Sequence, residues 1–241
     1  MLRVVRGGRC TMIKHMEGSR ENERTTNGDL ASRLRMAVGK PLRNWREVYE
    51  GFSPVDLETG EQRPRVPEPG EDCRQAAVLV PILLAPEGGH IVYTLRNKDL
   101  PDHAGQVSFP GGVPEPQDGS LLETALREAE EEIDLRPDVV ETIGALEELY
   151  IPPSKFVVRP FVGLLPGEAE MALAPEEVEE IFSVSLEELM FPESFKKVVW
   201  KRDGRRYQVP VFAVAGYEIW GATAAMTAGL LARLGWRGNT E

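Results

Sequence analysis

Cysteine is nearly missing from the chain: Cys10 and Cys73 are the only two in 241 residues. Two thiols cannot build a disulfide framework or a Cys-rich zinc site, so a reducing cytoplasm is the expected setting. Positive charge is also short. The 28 Lys and Arg against 39 Asp and Glu leave a formal charge of −11, which argues against a nucleic-acid partner held by a basic face. Long apolar runs are absent, none approaching the ~20 residues that cross a bilayer, so no membrane partner is expected. The opening Met1-Leu2-Arg3-Val4-Val5-Arg6 lacks the apolar core of a secretory signal. What is present, 41% hydrophobic and 28% charged residues, is the composition of a globular protein long enough for one full-sized domain with extensions.

Residues 1–28 are rich in Arg, Gly, Asn, Thr and Glu without apolar periodicity, and read as a disordered tail. Leu30, Leu34, Met36 and Val38 then suit a short helix over 29–38, and Pro64, Pro67, Pro69 and Gly70 mark a linker, so 29–71 reads as a helix with a Pro-rich connection. The main domain is expected over 72–236. Apolar runs predict strands at 76–84, 90–95, 106–109, 139–149 and 156–165, and a hairpin over 195–214 turning at Arg202-Asp203-Gly204. Helices are expected at 120–133, opened by a Ser120/Glu123 capping box and carrying Leu121, Leu122, Leu126, Ala129 and Ile133 on its apolar face, and at 223–234. The fold class is therefore α/β or α+β, with helices covering a mixed sheet.

The informative stretch is Arg127-Glu128-Ala129-Glu130-Glu131-Glu132. At about 100° per residue, Glu128, Glu131 and Glu132 share one sector of a helix. Carboxylates spaced three and four apart repel, and the C-terminal end of the helix dipole disfavours them further. A solvated acidic face is one reading. The other is a set of hard oxygen ligands for Mg²⁺ or Mn²⁺, ions that favour carboxylates plus substrate phosphates. The preceding His103-Ala104-Gly105-Gln106-Val107-Ser108-Phe109-Pro110-Gly111-Gly112 favours the second: a strand runs into a Gly-Gly turn whose backbone N–H groups can approach a phosphate.

This combination resembles the Nudix box: Gly, five residues, Glu, seven residues, then Arg-Glu-U-x-Glu-Glu-x-Gly-U with U aliphatic. Here five residues separate Gly112 from Asp118, eight separate Asp118 from Arg127, and Asp134 replaces the final glycine. An αL position after a helix prefers Gly but tolerates Asp. Leu95-Arg96, the His103–Gly112 stretch, Thr124-Ala125-Leu126-Arg127-Glu128 and the late Ile219-Trp220-Gly221-Ala222-Thr223-Ala224 are similar to the coenzyme A pyrophosphatase branch of that family.

The resemblance implies a Nudix fold, a mixed β-sheet sandwiched between helices. It implies a metal-dependent pyrophosphohydrolase with Mg²⁺ or Mn²⁺ as cofactor, splitting CoA or a CoA derivative into 3′,5′-ADP and 4′-phosphopantetheine. Glu128, Glu131 and Glu132 are then the metal ligands, with Glu131 alternatively the general base. A downstream glutamate is the other candidate base: Glu177, Glu179 or Glu180, with Glu177 preferred because Glu-Val-x-x-x-Phe resembles the family pattern. Gly111, Gly112 and Arg96 are expected at the substrate, with Lys98 and His103 as lesser candidates. Arg127 is expected to face away from the acidic trio and pair with Asp118 to fix the loop, and Trp220 to sit in the core. The box itself does not separate CoA from ADP-ribose, NADH or dinucleoside polyphosphates. A catalytically silent Nudix ligand sensor and a homodimer both stay open.

Overall fold

The computed structural model describes residues 3–5, 20–100 and 104–238; His103 lies outside these. In chain order the elements are β1 (Arg3–Val5), α1 (Arg20–Val38), α2 (Trp45–Glu50), β2 (Val55–Asp56), β3 (Arg74–Ala85), β4 (Gly88–Arg96), β5 (Val107–Ser108), β6 (Gly111–Gly112) and α3 (Leu121–Ile133). They continue with β7 (Glu141–Ala145), β8 (Leu149–Ile151), β9 (Phe156–Pro166), β10 (Val178–Ser185), α4 (Leu186–Met190), β11 (Phe195–Arg202), β12 (Arg205–Val214), β13 (Tyr217–Trp220) and α5 (Gly221–Arg233).

Among the described residues one nine-stranded sheet runs β1-β10-β4-β3-β9-β7, with β5 on β4, β6 on β3 and β8 on β9. It is mixed, because β3 and β9 pair in parallel while their other neighbours are antiparallel. Apolar residues at successive positions of β3 go to opposite faces. Ala77, Leu79 and Leu83 meet Ala125, Ala129 and Ile133 of α3. Val80 and Ile82 share the other core with Leu34 of α1 and Leu230 of α5. A strand buried on both faces reads as a continuous apolar run, which is what residues 76–84 show. A smaller sheet, β11-β12-β13 with β2 on β12, completes the fold.

Three sequence expectations need correction. Helix α1 begins at Arg20 rather than residue 29, and Arg3–Val5 pair with β10, so the tail reading fails at those residues; the rest of 1–19 lies outside the described residues. Once a helix is nucleated, each further residue adds a hydrogen bond, so polar residues extend it without apolar periodicity. Second, the chain between α1 and β3 is not a free connection. Tyr49 is fully buried, its hydroxyl donating to the Glu147 carbonyl at 3.0 Å, and it lies against Gly229, where a side chain would meet its ring at 2.7 Å. Third, the strand expected over 139–149 breaks: Pro137–Val139 form a 3₁₀ turn, β7 itself carries a bulge between Thr142 and Gly144, and residues 146–148 separate β7 from β8.

Candidate active site at the end of the acidic helix

Helix α3 is fixed at both ends. Ser120 Oγ accepts from Glu123 N at 3.2 Å, and Glu123 Oε2 in turn accepts from Gly119 N at 2.9 Å. At the other end Asp134 takes the left-handed conformation, φ +52°, and its N–H donates to the Glu130 carbonyl at 2.9 Å. The last carbonyls are not left to solvent. Ala172 N donates to Ile133 O and Ala174 N to Glu132 O, each at 3.0 Å. That strap carries the chain directly to Glu177.

The acidic residues do not stand equivalently. Glu132 lies three and seven positions from Ala129 and Ala125 on the sheet-facing stripe, and its side chain is only 3% exposed; Glu128 is 15% exposed and Glu131 57%. Glu132 accepts a hydrogen bond from the Gly111 N–H, Arg96 Nη1 stands 3.7 Å from its Oε1, and its Oε2 is buried without a partner. Burial pushes this carboxyl up to about 8; Arg96 opposes the shift, and the charges of Glu128 and Glu177 add to it. Burial also raises Glu128, against the pull of Arg127. Gly112 makes room for it: a Cβ there would stand 2.5 Å from Glu128 Cδ. Gly111 and Gly112 are held on β3 by pairing with Val78 and Ala77.

Arg127 is the organiser of the loop. Its Nε and Nη2 reach the two Asp118 oxygens at 3.0 Å each, and Nη2 also donates to the Val113 carbonyl at 3.1 Å. A shorter acid after a longer spacer thus still makes a fork-like pair. Hydrogen bonding from Arg127 is the main reason Asp118 falls to about 2. One expectation is corrected here: Arg127 does not face away from the acidic trio. Nη2 lies 3.1 Å from Glu128 Oε1 and Nη1 2.9 Å from Glu131 Oε2. With Glu115 Oε1 at 4.0 Å from Nη1, four carboxylates around one guanidinium share its charge, which offsets their mutual repulsion.

Among the described residues no three His, Cys, Asp or Glu side chains gather closely enough to hold a metal ion. Arg127 draws Glu131 outward, and Glu128 and Glu132 alone converge on the Gly111-Gly112 turn. The donor set nevertheless fits a divalent cation. Glu132 Oε2 is an orphaned buried oxygen, Glu128 is its neighbour one turn back, and Mg²⁺ is commonly bound through one or two carboxylates plus substrate phosphates.

Of the three downstream glutamates, Glu179 is tied to Lys98 at 2.8 Å and Glu180 is buried against the Tyr217 hydroxyl. Glu177 is exposed, and its charge is felt by both Glu128 and Glu132. Lys98, 72% exposed, points to that acidic strand rather than to the turn. Trp220 stacks edge-on with Trp200 at 4.8 Å in the smaller sheet. Sequence reasoning missed Thr124, whose Oγ1 donates to Asp118 Oδ2 at 3.0 Å, and the 172–174 strap. Thr124 had a signal, a hydroxyl on the covered side of the helix one turn before Arg127; the strap had none.

A family model for the NUDIX domain matches residues 67–204, and the chain belongs to the Nudix family. Among its relatives are proteins named Uncharacterized Nudix hydrolase NudL. That of Photorhabdus laumondii is 40% identical over 156 residues, 65% of this chain and 82% of that one. That of Yersinia enterocolitica is 40% identical over 163 residues, 66% and 83% of the two chains. A solved MutT protein from Methanosarcina mazei aligns at 19% identity with a TM-score of 0.46, covering 70% of this chain and all of that one. No described helix is long and apolar enough to cross a membrane.

The raised Glu132 carboxyl has a measurable consequence. Its folded value of about 8 lies above the ordinary 4.5, so the folded state holds a proton the unfolded state has lost. The stabilisation is complete below about pH 4.5 and disappears as pH rises through about 8. Metal-free protein is therefore expected to melt at progressively lower temperature from about pH 5 to pH 8, and Glu132→Gln to flatten that decline. Thermal unfolding in chelator-treated buffers checks both.

Proposed function

We propose that the chain is a Nudix pyrophosphohydrolase that cleaves the diphosphate linkage of coenzyme A or a CoA derivative. The observation that carries the hydrolase reading is the convergence of Glu128 and the buried, half-satisfied Glu132 on the Gly111-Gly112 turn. The CoA assignment is supported by the pattern from Leu95-Arg96 to Gly112 and by Thr124–Glu128.

Glu128 and Glu132 hold Mg²⁺ or Mn²⁺ in this reading, with Glu131 a further ligand once it leaves Arg127, or a base. When bound, such a cation neutralises diphosphate charge and lowers the pKa of water. The Gly-Gly turn, its Gly111 N–H already given to Glu132, lies beside the diphosphate, and Arg96, next to Glu132, adds a guanidinium for phosphate oxygens. Glu177 takes the proton of the attacking water. Arg127, through Asp118 and the Val113 carbonyl, keeps the turn over the helix end.

A panel of CoA, acetyl-CoA, ADP-ribose, NADH and a diadenosine polyphosphate with Mg²⁺ or Mn²⁺ tests the substrate. The highest kcat/KM is expected for CoA or acetyl-CoA, with 3′,5′-ADP among the products by chromatography; a clear preference for any other compound overturns the assignment. For the base, Glu177→Gln is expected to lower kcat by roughly 10²- to 10⁴-fold. Glu179→Gln, removing only the partner of Lys98, stays within about twofold. Steady-state rates at saturating metal decide it, and equal losses in the two variants would remove Glu177 from the mechanism.

A further inference from the structure

A cavity of about 530 Å³ opens at the edge of the large sheet, and Lys40, Trp45, Arg65, Glu147, Glu148 and Arg233 are among the residues lining it. Its volume falls in the range of small-molecule sites. Its charges do not balance. Glu147 is paired with Arg233, and Glu148 with Arg159 at 2.9 Å, another lining residue. Lys40 and Arg65 have no carboxylate partner among the described residues.

Arg65 is the telling one. It is 5% exposed, its Nη2 donates to the Phe52 carbonyl at 3.0 Å, and its Nε is buried with no partner. Burial pulls the guanidinium down to about 10, and the one charge that reaches it, Arg63, is another cation and lowers it further. An uncompensated buried cation is among the costlier arrangements in a protein, because a charge taken out of water regains that energy only from a counter-charge. Two bonds place the residue: its carbonyl accepts from Tyr150 N at 3.0 Å, and its Nη2 is tied to the Phe52 carbonyl.

We infer that this cavity is a second binding site, separate from the diphosphate site, that takes a small organic oxyanion with its phosphate or carboxylate on Arg65. Lys40 lies at the exposed rim and Pro41, Trp45 and Pro67 give an apolar wall for the rest of the ligand. Gly112 pairs with Ala77 of β3, Ala77 with Arg159 of β9, and two residues back on β9 Val157 pairs with Tyr150 of β8, whose N–H donates to the Arg65 carbonyl; Arg65 thus lies four strand spacings from the turn, on the order of 20 Å. A diphosphate held at the turn does not reach it.

The test uses full-length protein and three probes in calorimetric titration: AMP for a phosphate monoester, benzoate for a carboxylate, adenosine as the uncharged control. Saturable binding of AMP or benzoate at one site per chain is expected, with adenosine at least ten times weaker. Arg65→Met is expected to weaken the anion at least tenfold and Lys40→Ala, at an exposed position, several-fold, while Glu132→Gln leaves it unchanged. The melting temperature of Arg65→Met no longer responds to the anion that raises it in wild type. If Arg65→Met does not fold, Lys40→Ala and Arg65→Lys decide alone. No saturable binding of either anion, equal affinity in the Arg65 and Lys40 variants, or loss in Glu132→Gln would each overturn the proposal.

Discussion

Glu132→Gln is expected to lower turnover about a thousandfold while leaving the fold in place. A cation acting as a Lewis acid contributes several kcal/mol to a phosphoryl transition state, and roughly 4 kcal/mol corresponds to three powers of ten. The amide keeps the size of the carboxyl and can still accept from the Gly111 N–H. It removes the charge whose burial raises the group to about 8, so the metal-free variant at pH 8 should melt no lower than wild type. Near-normal turnover with metal affinity unchanged would sink the ligand assignment. A large drop in melting temperature would instead give Glu132 a purely structural role.

The second large effect separates two adjacent glycines. At Gly111, φ is +156° and a Cβ would run into the Ala77 carbonyl and stand 2.6 Å from Val78 Cα. Those are backbone atoms of a central strand and cannot give way. Gly111→Ala is therefore expected to cost about 3 kcal/mol or more, seen as a fall of roughly 10 °C in melting temperature. At Gly112 the obstacle is the Glu128 carboxylate, the free end of a side chain. Gly112→Ala should keep its stability within about 1 kcal/mol and lose about a hundredfold in kcat, because a ligand displaced by an ångström no longer meets its cation. Parallel unfolding and rate measurements on the pair check the contrast; identical profiles would contradict it.

How far the sequence reached can be followed residue by residue. Ser120, Glu123 and Asp134 bracket α3 by local chemistry, a side-chain cap at one end and a left-handed residue at the other, so its ends were legible. So was the Arg127–Asp118 pair, because the loop between them is short. Which side of α3 meets the sheet was legible only in part. Periodicity put Ala129 and Ile133 on the core face, and both are fully buried, but Leu122 and Leu126 of the same expected face are only half-buried, while Ala125 and Glu132 are buried instead. Two small residues let the helix approach β3 closely, and that preference is expressed only against a partner strand. Tyr49 in the groove beside Gly229, Arg65 beneath β8 and the two-residue pairing of β2 with β12 depend on segments distant in the chain, which no local pattern announces.

The parallel pairing of β3 with β9 joins Arg74 to Phe156. Ribosomal synthesis delivers the Gly-Gly turn and the acidic helix well before the strand that closes the other side of β3. Such long-range pairing is slow to form, since distant ends must be brought together before any contact compensates. The nascent chain therefore carries the proposed cation ligands on an unfinished scaffold, and the site we propose is complete only after β9 has emerged and docked.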